Sequence, residues 1–321
     1  MVQPAPSSSP TNDSQRAAFL SAVHEGLGRR PKAISSKWLY DERGSELFEC
    51  ITRTPEYYPT RTEIRLLQSN RNAIARFAGP GAALVEFGSG SSRKTRLVLE
   101  AMHRPAAYVP VDISRDYLLS AASDIAEDFP EVAVWPLVAD FTGTMHLPAE
   151  LPSSADRVGF FPGSTIGNFK PAGAVTFLER AGETLGSGGR LIVGLDLEKP
   201  RDVLLRAYDD AEGITAAFNL NLLRRINNEL DGGFDLAAFR HEVRVETGPF
   251  RVEMHLASVP EQTVAIGDRV FGFKAGETIH TEDSHKYTLD GFAALARRAG
   301  WRIAEEWRDP NGLFAIVGLC R

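Results

Sequence analysis

The sequence predicts an α/β fold: a Rossmann-like, doubly wound and mostly parallel sheet with an added α+β lobe. Three observations carry that prediction. Between 82 and about 200, apolar runs of strand length alternate with segments of helical period. The first of those runs closes in Glu86-Phe87-Gly88-Ser89-Gly90, a strand ending on two glycines one residue apart. From 241 onward the period becomes two, in 241–246 and 251–256, which reads as antiparallel strands outside a parallel sheet.

The elements follow in order. Ala17, Phe19, Leu20, Val23 and Leu27 form an apolar stripe that predicts a helix over 15–30. The stretch 31–59 is aromatic-rich and irregular, with Trp38, Tyr40, Phe48, Tyr57 and Tyr58, and 62–77 returns to helical period. Strands are expected at 82–87, 107–111, 132–138, 157–161 and 190–195, and helices at 92–103, 114–128 and 170–186. The last helix ends in Gly186-Ser187-Gly188-Gly189, a C-cap and turn. Residues 201–240 look mostly helical, 262–273 continues the alternating pattern after a turn at Thr247-Gly248-Pro249, and 289–299 is a helix closed by Gly300. The runs 302–307 and 313–319 read as final strands. The division this implies is a flexible tail at 1–14 and an N-terminal cap at 15–80 that belongs to a substrate lobe. A ligand-binding core takes 81–196 and 286–321, and a substrate-binding insertion 197–285.

With 321 residues, a net charge of −6 and a pI near 5.7, the chain lacks the basic balance of a nucleic-acid binder. The Pro/Ser-rich start has no basic region leading into an apolar run, and no apolar stretch approaches the roughly 20 residues of a membrane span. Two cysteines, Cys50 and Cys320, imply neither a disulfide framework nor a CxxC metal site, and Cys320 is expected to be buried in its apolar strand. The expected compartment is the cytoplasm, the expected state a monomer, and no membrane or nucleic-acid partner is expected.

Candidate ligand residues stand at the ends of successive strands. Gly88-Ser89-Gly90 lets backbone approach a nucleotide-like ligand, but Arg93 stands where the third glycine of a dinucleotide fingerprint would fall. That argues for an adenosyl cofactor without phosphates, S-adenosylmethionine (SAM). Asp112 closes the second strand and can accept both ribose hydroxyls; alternatively it caps the next helix. Asp140 closes the third, where its carboxylate can accept from the adenine amino group while Phe141 covers a face. Lys94 either meets the methionyl carboxylate or lies on a solvated helix face. The fourth strand runs into Gly163-Ser164-Thr165-Ile166-Gly167-Asn168. There Asn168 offers an acceptor and donors, or simply caps the helix that begins near Pro171.

Several strings now carry a resemblance. Lys37-Trp38-Leu39-Tyr40-Asp41, Thr54-Pro55-Glu56-Tyr57-Tyr58-Pro59-Thr60-Arg61-Thr62-Glu63, the glycine bend and the Gly163–Asn168 loop are similar to the SAM-dependent histidine N-alpha-methyltransferases of ergothioneine biosynthesis. Ala207-Tyr208-Asp209-Asp210 and Thr215-Ala216-Ala217-Phe218-Asn219 continue it, so that it runs from about 15 to the C-terminus. The resemblance implies three methyl transfers from SAM to the α-amino group of L-histidine, giving hercynine. By motif, Tyr57 and Asn168 would act at the amino group and Tyr208 at the carboxylate. Gly88, Ser89, Gly90, Lys94, Asp112, Asp140 and Phe141 would hold SAM. Tyr40, Gly163, Thr215, Phe218 and Met254 would line the substrate pocket, and Thr281-Glu282-Asp283-Ser284 matches the segment that reads the imidazole through Glu282 and Ser284, with Asp283 also counted among the substrate-binding residues.

The chemistry agrees: a carboxylate can accept from one ring N–H and a hydroxyl can serve the other nitrogen. Glu282 and Ser284 share a face if the segment is extended, although composition alone reads it as a surface loop and Met254 as core. His280 and His285 are expected to be solvent-exposed, and no HxxxH or HExxH pair suggests a metal. Two other readings stay open at this point: a methyltransferase of the same kind with another acceptor, and a non-catalytic SAM-binding protein.

Overall fold

The computed structural model describes residues 12–90, 92–152 and 155–321. The chain forms two compact units. The first is built from Pro59–Glu198 and Lys286–Arg321, the second from 12–58 and Lys199–His285. Most of the expected tail lies outside the described residues, while 12–14 already belong to the first helix, Asn12–Gly28.

In the first unit an eight-stranded sheet runs Arg302–Arg308, Phe314–Cys320, Arg190–Asp196, Arg157–Phe161, Ala83–Phe87, Ala107–Asp112, with Ala133–Val134 and Leu137–Val138 both pairing the outer side of Ala107–Asp112. Phe314–Cys320 pairs antiparallel with both Arg302–Arg308 and Arg190–Asp196, and the remaining pairs, from Arg190–Asp196 with Arg157–Phe161 outward, are parallel. Both faces are covered, as the near-continuous apolar strands require. Val85, Val109, Phe161 and Val193 enter one core, while Leu84, Tyr108, Phe160 and Ile192 enter the other. Each such fully buried side chain contributes about 1.5–3 kcal/mol. The expected strand 132–138 is split in two, because Pro136 has no N–H for the ladder.

The helical segment 62–77 is two helices, Tyr58–Ser69 and Arg71–Ala78, parted at Asn70, whose side chain donates to the Leu66 carbonyl at 2.9 Å. Leu66, Leu67, Ile74 and Ala78 enter the first unit's core, so this segment packs with the sheet, whereas the sequence places it with the cap.

The second unit holds a four-stranded sheet ordered Lys32–Ala33, Thr278–His285, Phe250–Ser258, Phe239–Thr247, and a separate hairpin, Gln262–Ile266 with Arg269–Phe273. Two of its elements escape sequence patterning. Within the supposedly irregular 31–59 lies the helix Glu42–Ile51, capped by Asp41, whose Oδ1 accepts from the Gly44 N–H at 2.7 Å. Gly44 is required there, since a Cβ would stand 1.8 Å from the Leu39 carbonyl oxygen. The strand Thr278–His285 is too polar to read as one, yet it lies inside the sheet between two partners.

Candidate active site

In the first unit the chain starts at Ala83–Phe87, adds strands on one side, then returns to add Arg157–Phe161 on the other. The crevice of such a sheet opens at the carboxyl ends of those two strands. Two tight bends flank it. Gly88 has φ +75° and Gly90 φ +48°; across the switch point Gly163 has φ +77°. A Cβ on Gly88 would press to 3.3 Å from the Phe141 ring. Two serines take the left-handed conformation as well, Ser92 at φ 56° and Ser164 at φ 58°, a costly geometry for an L residue that clusters at ligand clamps. Ser164 is held there by the Asp196 N–H, which donates to its Oγ at 2.9 Å. The Ser89 hydroxyl is buried with no hydrogen-bond partner among the described residues, so a ligand in the bend could satisfy it.

Carboxylates surround the bend. Asp112 Oδ1 accepts from the Ser114 N–H at 2.9 Å, and burial raises its pKa against the opposing N–H bonds of Ser114, Gly90 and Ile113. It ends its strand and holds the backbone of Ser114, the residue that precedes the Arg115–Asp128 helix. Beneath it, burial pushes the Glu86 carboxyl up to about 8, despite hydrogen bonds from Thr95 at 2.7 Å and Tyr108 at 2.5 Å. Asp140 is exposed and accepts from the Thr142 N–H at 3.0 Å; Phe141 stands edge-on to Phe161 at 5.6 Å. Lys94 is not on a solvated face: its Nζ is 2.6 Å from Glu63 Oε2, and Glu63, fully buried, also accepts from the Gly163 N–H. Glu63 therefore ties the start of one helix to the loop after the fourth strand. Asn168 ends a short 3-10 turn in that loop and is half-buried.

In the second unit a pocket gathers Tyr40, Phe48, Ile51, Tyr57, Ala207, Tyr208, Thr215, Phe218, Met254 and Glu282. Tyr40 meets Phe218 edge-on at 5.4 Å, and Tyr57 meets Phe48 at 6.2 Å and Tyr208 at 6.3 Å, which makes an aromatic wall. Glu282 and Ser284 are buried, and the Tyr208 hydroxyl donates to Ser284 Oγ at 2.7 Å. Asp210 anchors the start of the Ile214–Leu230 helix by accepting from the Ile214 and Thr215 N–H groups at 2.9 and 2.7 Å. Met254 is both core, at 2 % exposure, and pocket wall.

Several expectations need correction. Asp283 does not line this pocket: it faces Arg251, 3.1 Å from its Nε, and His280, 3.2 Å from its Nε2. His285 is buried and His280 half-buried, because the polar strand they occupy sits inside the sheet. Cys320 is half-buried and Cys50 exposed. Phe48 was missed as a pocket residue; the i,i+3 pair Phe48 and Ile51 behind the Asp41 cap was the available signal. Ligand atoms of Glu253, His280 and Asp283 lie within 4.8 Å of one another, but Arg251 already bridges the two carboxylates with its guanidinium.

The first unit's residues fit an adenosyl group: two bends with left-handed glycines, an orphan hydroxyl, and the acceptors Asp112 and Asp140 at successive strand ends. A family model described as histidine-specific methyltransferase, SAM-dependent, matches residues 19–321. The chain is 40% identical over 309 residues to the histidine N-alpha-methyltransferase of Mycolicibacterium smegmatis, covering 95% of each chain. It is 39% identical to the protein of that name in Mycobacterium tuberculosis, again over 95% of each. Ergothioneine biosynthesis protein 1 of Neurospora crassa is 30% identical over 88% of this chain and 32% of its own longer length. The sheet, its glycine bends and a match over nearly the whole sequence agree, and the chain belongs to the histidine-specific, SAM-dependent methyltransferases.

Proposed function

We propose that this protein transfers methyl groups from SAM to the α-amino group of L-histidine, three in succession, to give hercynine for ergothioneine biosynthesis. The observation that carries the reading is the second unit's pocket, where Glu282 is set among aromatic rings next to a strand position whose hydroxyl, Ser284, accepts from Tyr208 at 2.7 Å. A neutral imidazole has one N–H and one bare nitrogen. Glu282 is an acceptor for the first, and Ser284, accepting from Tyr208, donates with its own hydrogen to the second. Phe218 and Met254 supply the apolar walls of a ring slot.

When bound, SAM supplies a methyl group made electrophilic by its sulfonium. The protein's part is to hold and orient. On this reading Gly88, Ser89, Gly90, Lys94, Asp112, Asp140 and Phe141 hold the donor, Tyr40, Tyr57, Tyr208 and Thr215 hold the amino-acid end of the acceptor, and the motif alone assigns Gly163 and Asn168 to the transfer. Tyrosine hydroxyls and an amide orient an amine without the tight ion pair that would occupy its lone pair, and alignment of this kind is worth about 7–11 kcal/mol at best. Displacement at a sulfonium-activated carbon needs no Lewis acid, so the reading has the enzyme work without a metal, as a cytoplasmic monomer. No helix among the described residues is long and apolar enough to cross a membrane.

The test is to incubate the purified protein with SAM and each proteinogenic amino acid in turn, then weigh the products and locate the methyl groups by NMR. Histidine should gain three methyl groups on its α-nitrogen. Preferential methylation of another amino acid, or methylation at a ring nitrogen, overturns the reading.

A further inference from the structure

The strand that carries Glu282 and Ser284 is not a regular one. Its pairing with Phe250–Ser258 sets Ile279 opposite Leu256 and His280 opposite His255, then resumes with Glu282 opposite Met254 and Ser284 opposite Val252. Thr281 is an extra residue, a β-bulge. Side chains alternate along a strand, so an unbroken ladder would put His280, Glu282 and Ser284 on one face. The bulge shifts the alternation by one. Glu282 and Ser284 thereby share the face of Met254, and His280 and Asp283 share the opposite face with His255 and Glu253.

The bulge is held from outside the sheet. Thr281 is 1% exposed, and its hydroxyl lies 2.7 Å from Asn219 Oδ1 and 3.0 Å from the Met254 carbonyl oxygen. Asn219 is fully buried on the Ile214–Leu230 helix, beside Phe218 and one turn after Thr215, both pocket residues. Its Nδ2 reaches the His255 carbonyl at 3.0 Å and His241 Nδ1 at 2.9 Å. The amide can only donate from that nitrogen, so His241 Nδ1 accepts and its Nε2–H donates to the Tyr208 carbonyl at 2.9 Å. One asparagine thus uses every polar atom of its side chain to join the bulge, the strand beside it and the end of the helix that carries Tyr208.

We propose that Asn219 and Thr281 are specificity-determining positioning residues. They hold the bulge that turns Glu282 and Ser284, rather than His280 and Asp283, to the acceptor pocket. The inference rests on the reading of Glu282 as the imidazole acceptor.

Thr281→Val keeps the side chain's shape and removes the hydroxyl. Its KM for histidine should rise about tenfold or more, which corresponds to loss of roughly one net hydrogen bond. SAM affinity by calorimetry should stay within about twofold, since the change leaves the first unit's residues intact. Thr281→Ser keeps the hydroxyl and should restore a KM within about threefold of the parent. Glu282→Ala is the reference. Adding Thr281→Val to it should cost no further histidine KM, because the bulge acts through Glu282. If Glu282→Ala raises the KM and Thr281→Val does not, the positioning proposal is overturned and the pocket reading stands. If Glu282→Ala itself changes nothing, the pocket reading fails. Should the valine variant not bind SAM, Thr281→Ala replaces it, and loss of SAM binding in both overturns the proposal by making Thr281 a general structural residue.

Discussion

The two units build their candidate sites from different material. In the first, the crevice is mostly backbone: Gly88, Gly90 and Gly163 in left-handed bends, with strand-end carboxylates beside them. In the second, the pocket is side chains, drawn from the segments around Tyr40, Tyr57, Tyr208, Phe218, Met254 and Glu282. A backbone site has little tolerance, because any added atom strains the bend itself. A side-chain site can exchange one group for another while the scaffold stays put. On the roles proposed above, this comparison makes the donor end rigidly specified and leaves selectivity for the acceptor to a handful of exchangeable residues.

The sharpest way to break the first half of the comparison is Gly88→Val. The residue sits at φ +75° with the Phe141 ring 3.3 Å from the position a Cβ would take. Strain of about 1–3 kcal/mol from the dihedral, with overpacking added, should weaken SAM binding about a hundredfold in calorimetry. Unchanged affinity would mean that the bend does not hold the donor.

A second effect sharpens what lies under the bend. Burial raises the Glu86 carboxyl to about 8, well above its ordinary 4.5. The sign follows: a group whose folded pKa is raised contributes stability in full below its unfolded pKa, and loses it as pH rises through the folded value. Stability against urea should therefore fall between about pH 5 and 8 by a few kcal/mol on account of this residue, and Glu86→Gln should flatten that slope. An identical slope in both proteins would show that Glu86 is ionised at neutral pH with other compensation.

The contrast also explains what was legible in the sequence. The first unit is local: Gly88, Asp112 and Asp140 each follow an apolar strand, so period and composition found the sheet, the bends and the order of carboxylates. What was missed there depends on pairing across distance. The Glu63–Lys94 ion pair joins residues far apart in sequence, and spacing alone left Lys94 with two readings. In the second unit the motifs that resemble the family supplied Tyr57, Tyr208 and Glu282, while periodicity did not. The helix Glu42–Ile51 is short and starts from a charged cap. The strand Thr278–His285 is polar at every position but Ile279, its side chains bond one another and a buried helix, and hydrophobic alternation cannot report that. The bulge at Thr281 is invisible to any rule of fixed period. It is His280 that the bulge moves off the face of Glu282 and Ser284; ordinary alternation already sets Asp283 on the other face, and only the motif grouped it with them.

Asp283→Asn carries the smallest expected effect and tests that sorting of faces directly. Burial by itself would raise the Asp283 pKa, but the contact with His280 and the charges of His280, His285 and Arg251 hold it below the ordinary carboxylate range. A depressed carboxylate stabilises the fold above its unfolded pKa, and that contribution fades as pH falls through the folded value. The asparagine variant should therefore melt about 2–4 °C lower at pH 7, with the gap closing below about pH 4. Its KM for histidine should stay within about twofold of the parent, since a side chain outside the pocket and paired to Arg251 makes no contact to lose. A tenfold rise in KM with unchanged melting would put Asp283 on the pocket side of the strand, and the bulge would then not divide the two faces.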